Sequence, residues 1–176
     1  SDREVVDEVT RTLLDSLRAE TSHISNLAAV TIEGDPELIP GNPQGQYLLL
    51  MGGLQGMANL ADNLMVGAAF SVLERKNTGE PATALEFLQP GDQQVCAGMI
   101  LFGARTILLL TTGDGVDGFT LDRNLGSFVL TNPKMRIPKN TNRYAIDATQ
   151  APHWQPPVSR YIEECIQGES GPRSQD

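Results

Sequence analysis

The side chains that most often carry chemistry are sparse in this chain and badly placed for it. His23 sits in ETSHISN and His153 in APHWQPP. Neither lies beside a serine or cysteine at a strand-to-helix elbow, so no nucleophile–base pair is indicated and both read as surface or capping histidines. Asp114, Asp117 and Asp122 are close enough in sequence to share a cation, but loop aspartates are far more often turn formers. GDGVDG, residues 113 to 118, resembles a phosphate cradle or a calcium loop only superficially. It lacks the GK[ST] ending of the first and the spaced acids and closing glutamate of the second, which leaves a hairpin turn. Cys96 lies on an apolar stretch and reads as a small core residue, and Cys165 is too remote from it to form a CxxC metal or redox pair.

One stretch is more informative. MGGLQGMANLADN, residues 51 to 63, lies between the apolar runs QYLLL and LMVGAAFSVL, so a strand empties into a glycine-rich loop before a second strand begins. A loop at the end of a buried strand is where an α/β enzyme places charged side chains. At the positions directly after the strand, 52 to 58, it holds glycines, a leucine, a glutamine, a methionine and an alanine.

The elements that would position this loop follow from hydrophobic period. VVDEVTRTLLDSLRAE spaces Val6, Val9, Leu13 and Leu17 at three- and four-residue intervals, the pattern of an amphipathic helix. LAAVTI (27 to 32), QYLLLM and VGAAFSVLER read as strands, while EGDPELIPGNPQG and KNTGEPATALEFLQPGD are rich in turn formers. From Val95 on, VCAGMILFG, RTILLLTT, GFTLD and GSFVLT continue the β pattern. Thr106 to Thr112 is apolar almost without a break, as expected of a strand covered on both faces. NPKMRIPKNTNRYAID reads as a loop, and PPVSRYIEECIQG as a helix with Val158, Tyr161, Ile162, Cys165 and Ile166 on one face. The tail ESGPRSQD should fray. The pattern predicts an α+β or layered α/β domain: a mixed or antiparallel sheet of about six strands with helices from both ends packed on it.

At 176 residues, with 40% hydrophobic and 20% charged, the chain can bury a core as one domain spanning 1–176. Its net charge of −9 works against a nucleic-acid or anionic-membrane partner. No apolar run reaches the ~20 residues of a membrane span and no signal-peptide pattern opens the chain, so a soluble cytoplasmic protein is expected.

Residues 87 to 138, FLQPGDQQVCAGMILFGARTILLLTTGDGVDGFTLDRNLGSFVLTNPKMRIP, resemble class 1 fructose-1,6-bisphosphatase of the bacterial type. The likeness continues through RYAIDA and HWQPPVSRYIEECIQGESGPR, and takes in QYLLL and VGAAFSVL upstream. It implies a layered sugar-phosphatase fold and hydrolysis of the 1-phosphate of fructose 1,6-bisphosphate with magnesium or a similar divalent ion. It also gives the glycine-rich loop a counterpart. In the family a DPLDGSSN sequence follows the strand that matches QYLLLM; its two aspartates bind metal, and its glycine and serine grip phosphate.

This chain reads GGLQGMAN there. Gly52 stands at the first metal aspartate, Gly53 at the proline, Gln55 at the second aspartate, and Met57 and Ala58 at the serines; Leu54, Gly56 and Asn59 keep the pattern. By this resemblance the metal positions are Glu33, Gly52, Leu54 and Gln55, and the phosphate positions Gly56, Met57 and Ala58. Upstream, Glu33 keeps one acid of the family's pair and Gly34 replaces the other, while Asp7 matches an early helical acid at the wrong spacing. Tyr47 matches one AMP-contacting position of the regulated members, but Gln46 replaces the lysine beside it. The family's N-terminal helices and its C-terminal sugar-binding portion have no match in 1–176.

A hard divalent cation requires charged oxygens, which glycine cannot offer and glutamine offers only as one neutral carbonyl. Without that cation nothing activates water or neutralises the phosphoryl oxygens. The expectation is therefore a fructose-1,6-bisphosphatase-like pseudoenzyme or accessory subunit that holds no cofactor where the family holds Mg2+. It would act as a homo-oligomer, or as a hetero-oligomer with an intact homologue. The alternatives are an active or partial sugar bisphosphatase of gluconeogenesis or the Calvin cycle, and a decayed fragment. Coherent apolar periodicity argues against decay.

Overall fold

The structure is a computed structural model that describes residues 2–56, 65–76, 78–141 and 143–171. Contacts group the chain into two compact units, 1–136 and 137–176.

The first unit opens with helix α1, Asp2–Thr21, which the amphipathic pattern anticipates. Among the described residues eight strands follow: β1 Leu27–Ile32, β2 Ile39–Pro40, β3 Tyr47–Met51, β4 Val66–Glu74, β5 Gln94–Phe102, β6 Ile107–Thr111, β7 Val116–Asp122 and β8 Ser127–Met135. They form one sheet in the order β2-β1-β3-β4-β5-β6-β7-β8. β1 and β3 run parallel, and every other neighbouring pair is antiparallel. From β3 onward the sheet is a meander, so consecutive strands need only short connections.

The best-buried part of the sheet lies at β1 and β3. Ala28, Ala29, Leu48, Leu73 and Phe87 form one cluster, with Leu38 and Ala82 against it. Leu27, Val30 and Ile39 form another, packed by Leu17 of α1 and by Ile32, Leu49 and Met51. Adjacent β3 residues Leu48 and Leu49 thus point to opposite faces, as a strand requires. Between β4 and β5 the chain makes short 3-10 turns at Ala84–Phe87 and Gly91–Gln93, and Phe87 plugs the first cluster.

Arg75, at the end of β4, ties this excursion down. Its side chain is 1% exposed, and its Nε donates to Glu86 Oε2 at 2.7 Å. Nη1 donates to the Pro43 carbonyl at 2.9 Å and Nη2 to the Glu80 carbonyl at 2.7 Å. A buried guanidinium must satisfy its donors in this way, so two loops from either side of β3 and β4 are held together.

Three readings of the sequence need correction. The sheet has eight strands rather than about six, because Ile39 and Pro40 gain a short pairing with Ala29 and Val30 that no local period announces. NPKM continues β8 instead of looping. Proline costs a ladder bond only toward a paired neighbour, and Pro133 lies on an edge strand within a register shift, between the Asn132 and Met135 pairings. β6 is half-buried along its length, not covered on both faces, and β8 is exposed throughout.

In the second unit a 3-10 turn, Ala148–His153, is capped by the Asp147 side chain, and α2 spans Pro156–Ile166 with its prolines in the first turn. Of the expected apolar face only Ile162 is buried; Val158, Tyr161 and Ile166 are exposed. Among the described residues no helix is long and apolar enough to cross a membrane.

Candidate functional site

The strand ends bring the predicted residues together. Met51 closes β3 and accepts at 2.8 Å from the Glu33 N–H, just past the end of β1. The Gly52 N–H then donates to Ala69 O of β4 at 2.8 Å, and Gln55 and Gly67 exchange backbone hydrogen bonds at 2.8 and 3.1 Å. Glu33, Gly52, Leu54 and Gln55 therefore lie in one loop cluster where parallel β1 and β3 end beside β4. A sheet of this kind exposes its ligand-facing edge where parallel strands terminate.

The space at Gly52 is specific. A Cβ at that position would lie 3.6 Å from Glu33 Oε2 and 3.4 Å from the Ala69 carbonyl, so a side chain there would emerge directly beside the one carboxylate of the cluster. Gly56 has φ 79 and Gly34 φ 87, left-handed conformations that favour glycine. At the second position a side chain would have open space but a strained backbone. Gln55 is exposed, as is Gly56; Met57, Ala58 and Asn59 lie outside the described residues.

A hard divalent ion takes six or more oxygens at roughly 2.0 to 2.6 Å, carboxylates foremost. Among the described residues Glu33 brings its carboxylate beside Gly52, and no three His, Cys, Asp or Glu side chains converge on a cation position. The described residues do not by themselves make up the magnesium site that the resemblance implies.

Tyr47 opens β3, half-buried, opposite Leu27 on one side and Glu74 on the other. An anionic ligand there would meet the Glu74 carboxylate, and the neighbouring cation, Arg75, already donates to Glu86, Pro43 and Glu80. That clamp escaped the sequence reading, although Thr83 followed three residues later by Glu86 is a capping-box signal. Glu86 Oε1 indeed accepts from the Thr83 N–H at 2.9 Å. Its hydrogen bond to Arg75 is the main cause that holds its carboxyl below the ordinary range.

The remaining candidates serve the fold. Asp114 pairs with Arg136 at 3.4 Å, Asp117 Oδ1 accepts from the Lys134 N–H at 2.7 Å, and Asp122 Oδ1 accepts from the Asn124 and Leu125 N–H groups. His23 and His153 are exposed, in a turn after α1 and at the end of the 3-10 turn before α2. Cys96 is half-buried rather than a core residue, and burial pushes its thiol upward, away from the reactive thiolate.

Comparison with known proteins bears on the family and the fold. The model of the fructose-1-6-bisphosphatase N-terminal domain matches residues 7–133. Over 153 residues the chain is 48% identical to a class 1 fructose-1,6-bisphosphatase of Hydrogenophilus thermoluteolus, covering 85% of this chain and 43% of that protein. Over 137 residues it is 49% identical to the class 1 enzyme of Methylacidiphilum infernorum (isolate V4), covering 78% and 38%. Less than half the length of each relative is thus spanned. Leishmania major fructose-1,6-bisphosphatase in its holo form superposes with a TM-score of 0.72 at 30% identity, over 81% of this chain and 46% of that one. Its apo form gives a TM-score of 0.72 at 26% identity, over 92% and 57%. The chain belongs to the fructose-1,6-bisphosphatase family.

Proposed function

We propose that this chain is a catalytically silent fructose-1,6-bisphosphatase-like protein. In this reading it is a soluble cytoplasmic subunit that keeps the family's sheet and has exchanged metal and phosphate ligation for a binding or structural role. It would work as a homo-oligomer or beside an intact homologue. The observation that carries the reading is the loop after β3: the Cβ position of Gly52 faces Glu33 Oε2 at 3.6 Å, where a second carboxylate would be needed, and glycine leaves it bare. Gln55 adds no charge, so among the described residues of this loop Glu33 is left without the acidic partners that the resemblance gives it.

Calorimetric titration of Mn2+ and Mg2+ into the chain and into Gly52→Asp/Gln55→Asp tests this directly. No saturable heat is expected from the natural sequence, and at least a tenfold gain in affinity from the double variant. Equal saturable binding by both would remove the basis of the proposal. An absence of gain in a folded double variant would show that these positions are not the family's metal positions.

The identity to the two class 1 enzymes favours a second reading, in which 1–176 is part of an active sugar bisphosphatase of gluconeogenesis or the Calvin cycle. In that reading further metal ligands come from outside 1–176, so saturable, chelator-sensitive phosphate release by a chain that joins 1–176 to that remainder separates the two.

A further inference from the structure

Met51 pairs with Phe70 in the β3–β4 ladder, and the Gly52 N–H donates to Ala69 O at 2.8 Å, so the ladder keeps its register one residue past the end of β3. In a regular antiparallel pair Gly67 would next face Leu54. It faces Gln55 instead, and the two exchange both backbone hydrogen bonds, at 2.8 and 3.1 Å. Gly53 and Leu54 thus stand where a single residue would oppose Ala68. The segment is a β-bulge that carries β3 onward rather than an open loop.

The extra residue changes which positions share a face. Side chains alternate along a regular strand, so 52 and 54 would point to one side of the sheet and 55 to the other. Cross-strand partners share a side, so the bulge sets 55 with Gly67 of β4, and hence with Ala69 and Gly52. That is the side of Glu33, whose Oε2 lies 3.6 Å from the Cβ position of Gly52. Gly67 can pin the bulge because it has no side chain. A Cβ there would meet the Ile100 carbonyl and Leu101 Cδ2, each at 2.9 Å. Its backbone is held between Gln55 on one side and Leu101 of β5 on the other, the close approach that glycine permits inside a strand.

We propose that Gly67 is a positioning residue: by pinning the bulge it sets position 55, and not 54, beside Gly52 and Glu33. The pairing is a property of the backbone. The reading of 52 and 55 as the family's metal positions bears only on what carboxylates placed there would bind.

Nuclear magnetic resonance of the natural chain should find the Gln55 and Gly67 amides protected from hydrogen exchange, with an amide–amide contact between them. In Gly67→Ala the protection of Gln55 should fall at least about tenfold while the β1 amides keep theirs, a local loss that general destabilisation would not produce. Calorimetry with Mn2+ then separates the side chains. Gly52→Asp/Gln55→Asp should bind at least about tenfold more tightly than Gly52→Asp/Leu54→Asp, each shown to be folded by circular dichroism. An unprotected Gln55 amide, or a contact of Gly67 with Leu54 instead, would overturn the proposal. So would a loss of protection spread evenly over the sheet in Gly67→Ala, or Mn2+ binding by the Leu54 variant as tight as by the Gln55 variant. If Gln55 is protected and paired with Gly67 yet neither double variant binds Mn2+, the bulge stands and the reading of 52 and 55 as metal positions falls.

Discussion

Glu86 reports on its surroundings through pH. The Arg75 hydrogen bond holds its carboxyl below the ordinary range in the folded chain, so the folded state binds a proton there less readily than the unfolded state does. The stabilisation is complete above the unfolded value of about 4.3 and fades as pH falls through the lower folded value. Glu86→Gln leaves the Arg75 guanidinium, 1% exposed, without its counter-charge. A loss of about 2 kcal/mol at pH 7 is expected, because one partner of a buried pair is removed while the other stays. Urea midpoints from pH 7 to 3 should show the natural chain and Glu86→Gln converging toward the acid end. A constant gap between them would mean that the carboxylate is not what Arg75 depends on. The glycine-rich loop is informative in a different way: what matters at Gly52 is the side chain it lacks beside Glu33. Such a departure was legible in the sequence only against the family pattern, since composition alone treats a glycine-rich loop as a turn.

Strand by strand, legibility tracked local pattern. β1 was readable to its ends, Leu27–Ile32, because a continuous apolar run bounded by polar residues has few alternatives. β2 was not, since two residues hold strand geometry only through their pairing with β1. The far end of β8 was hidden by Pro133, whose usual meaning changes on an edge. The clamp at Arg75 depends on loops 32 residues apart in sequence, from Pro43 to Arg75, and no local signal joins them. β5 illustrates a constraint that becomes visible only in three dimensions. A Cβ on Gly98 would collide with the Leu109 carbonyl and lie 2.7 Å from the Phe70 ring, so backbone and an aromatic ring occupy that space. Gly98→Val should destabilise the fold by at least about 2 kcal/mol, the scale of overpacking strain, despite valine's preference for strands. Denaturant melts would check this, and a stabilised variant would show that β4, β5 and β6 are packed more loosely than described.

At the scale of the whole molecule, a sheet whose core is concentrated at β1 and β3 leaves β6 half-covered and β8 exposed, and the proposed reading locates the family's chemistry on the better-buried side, where those parallel strands end. The proposed loss of catalysis rests on that placement, because Gly52 and Gln55 offer no carboxylate there. Restoring them with Gly52→Asp/Gln55→Asp should raise metal affinity without producing substantial turnover, because orientation of the sugar needs groups this loop does not supply. The most direct measurement is phosphate release from fructose 1,6-bisphosphate by the purified natural chain, with Mg2+ and then Mn2+, followed over a range of substrate concentrations and repeated with chelator. No release above the protein-free control is expected under any of these conditions; release that saturates with substrate and vanishes with chelator would contradict the proposed loss of catalysis.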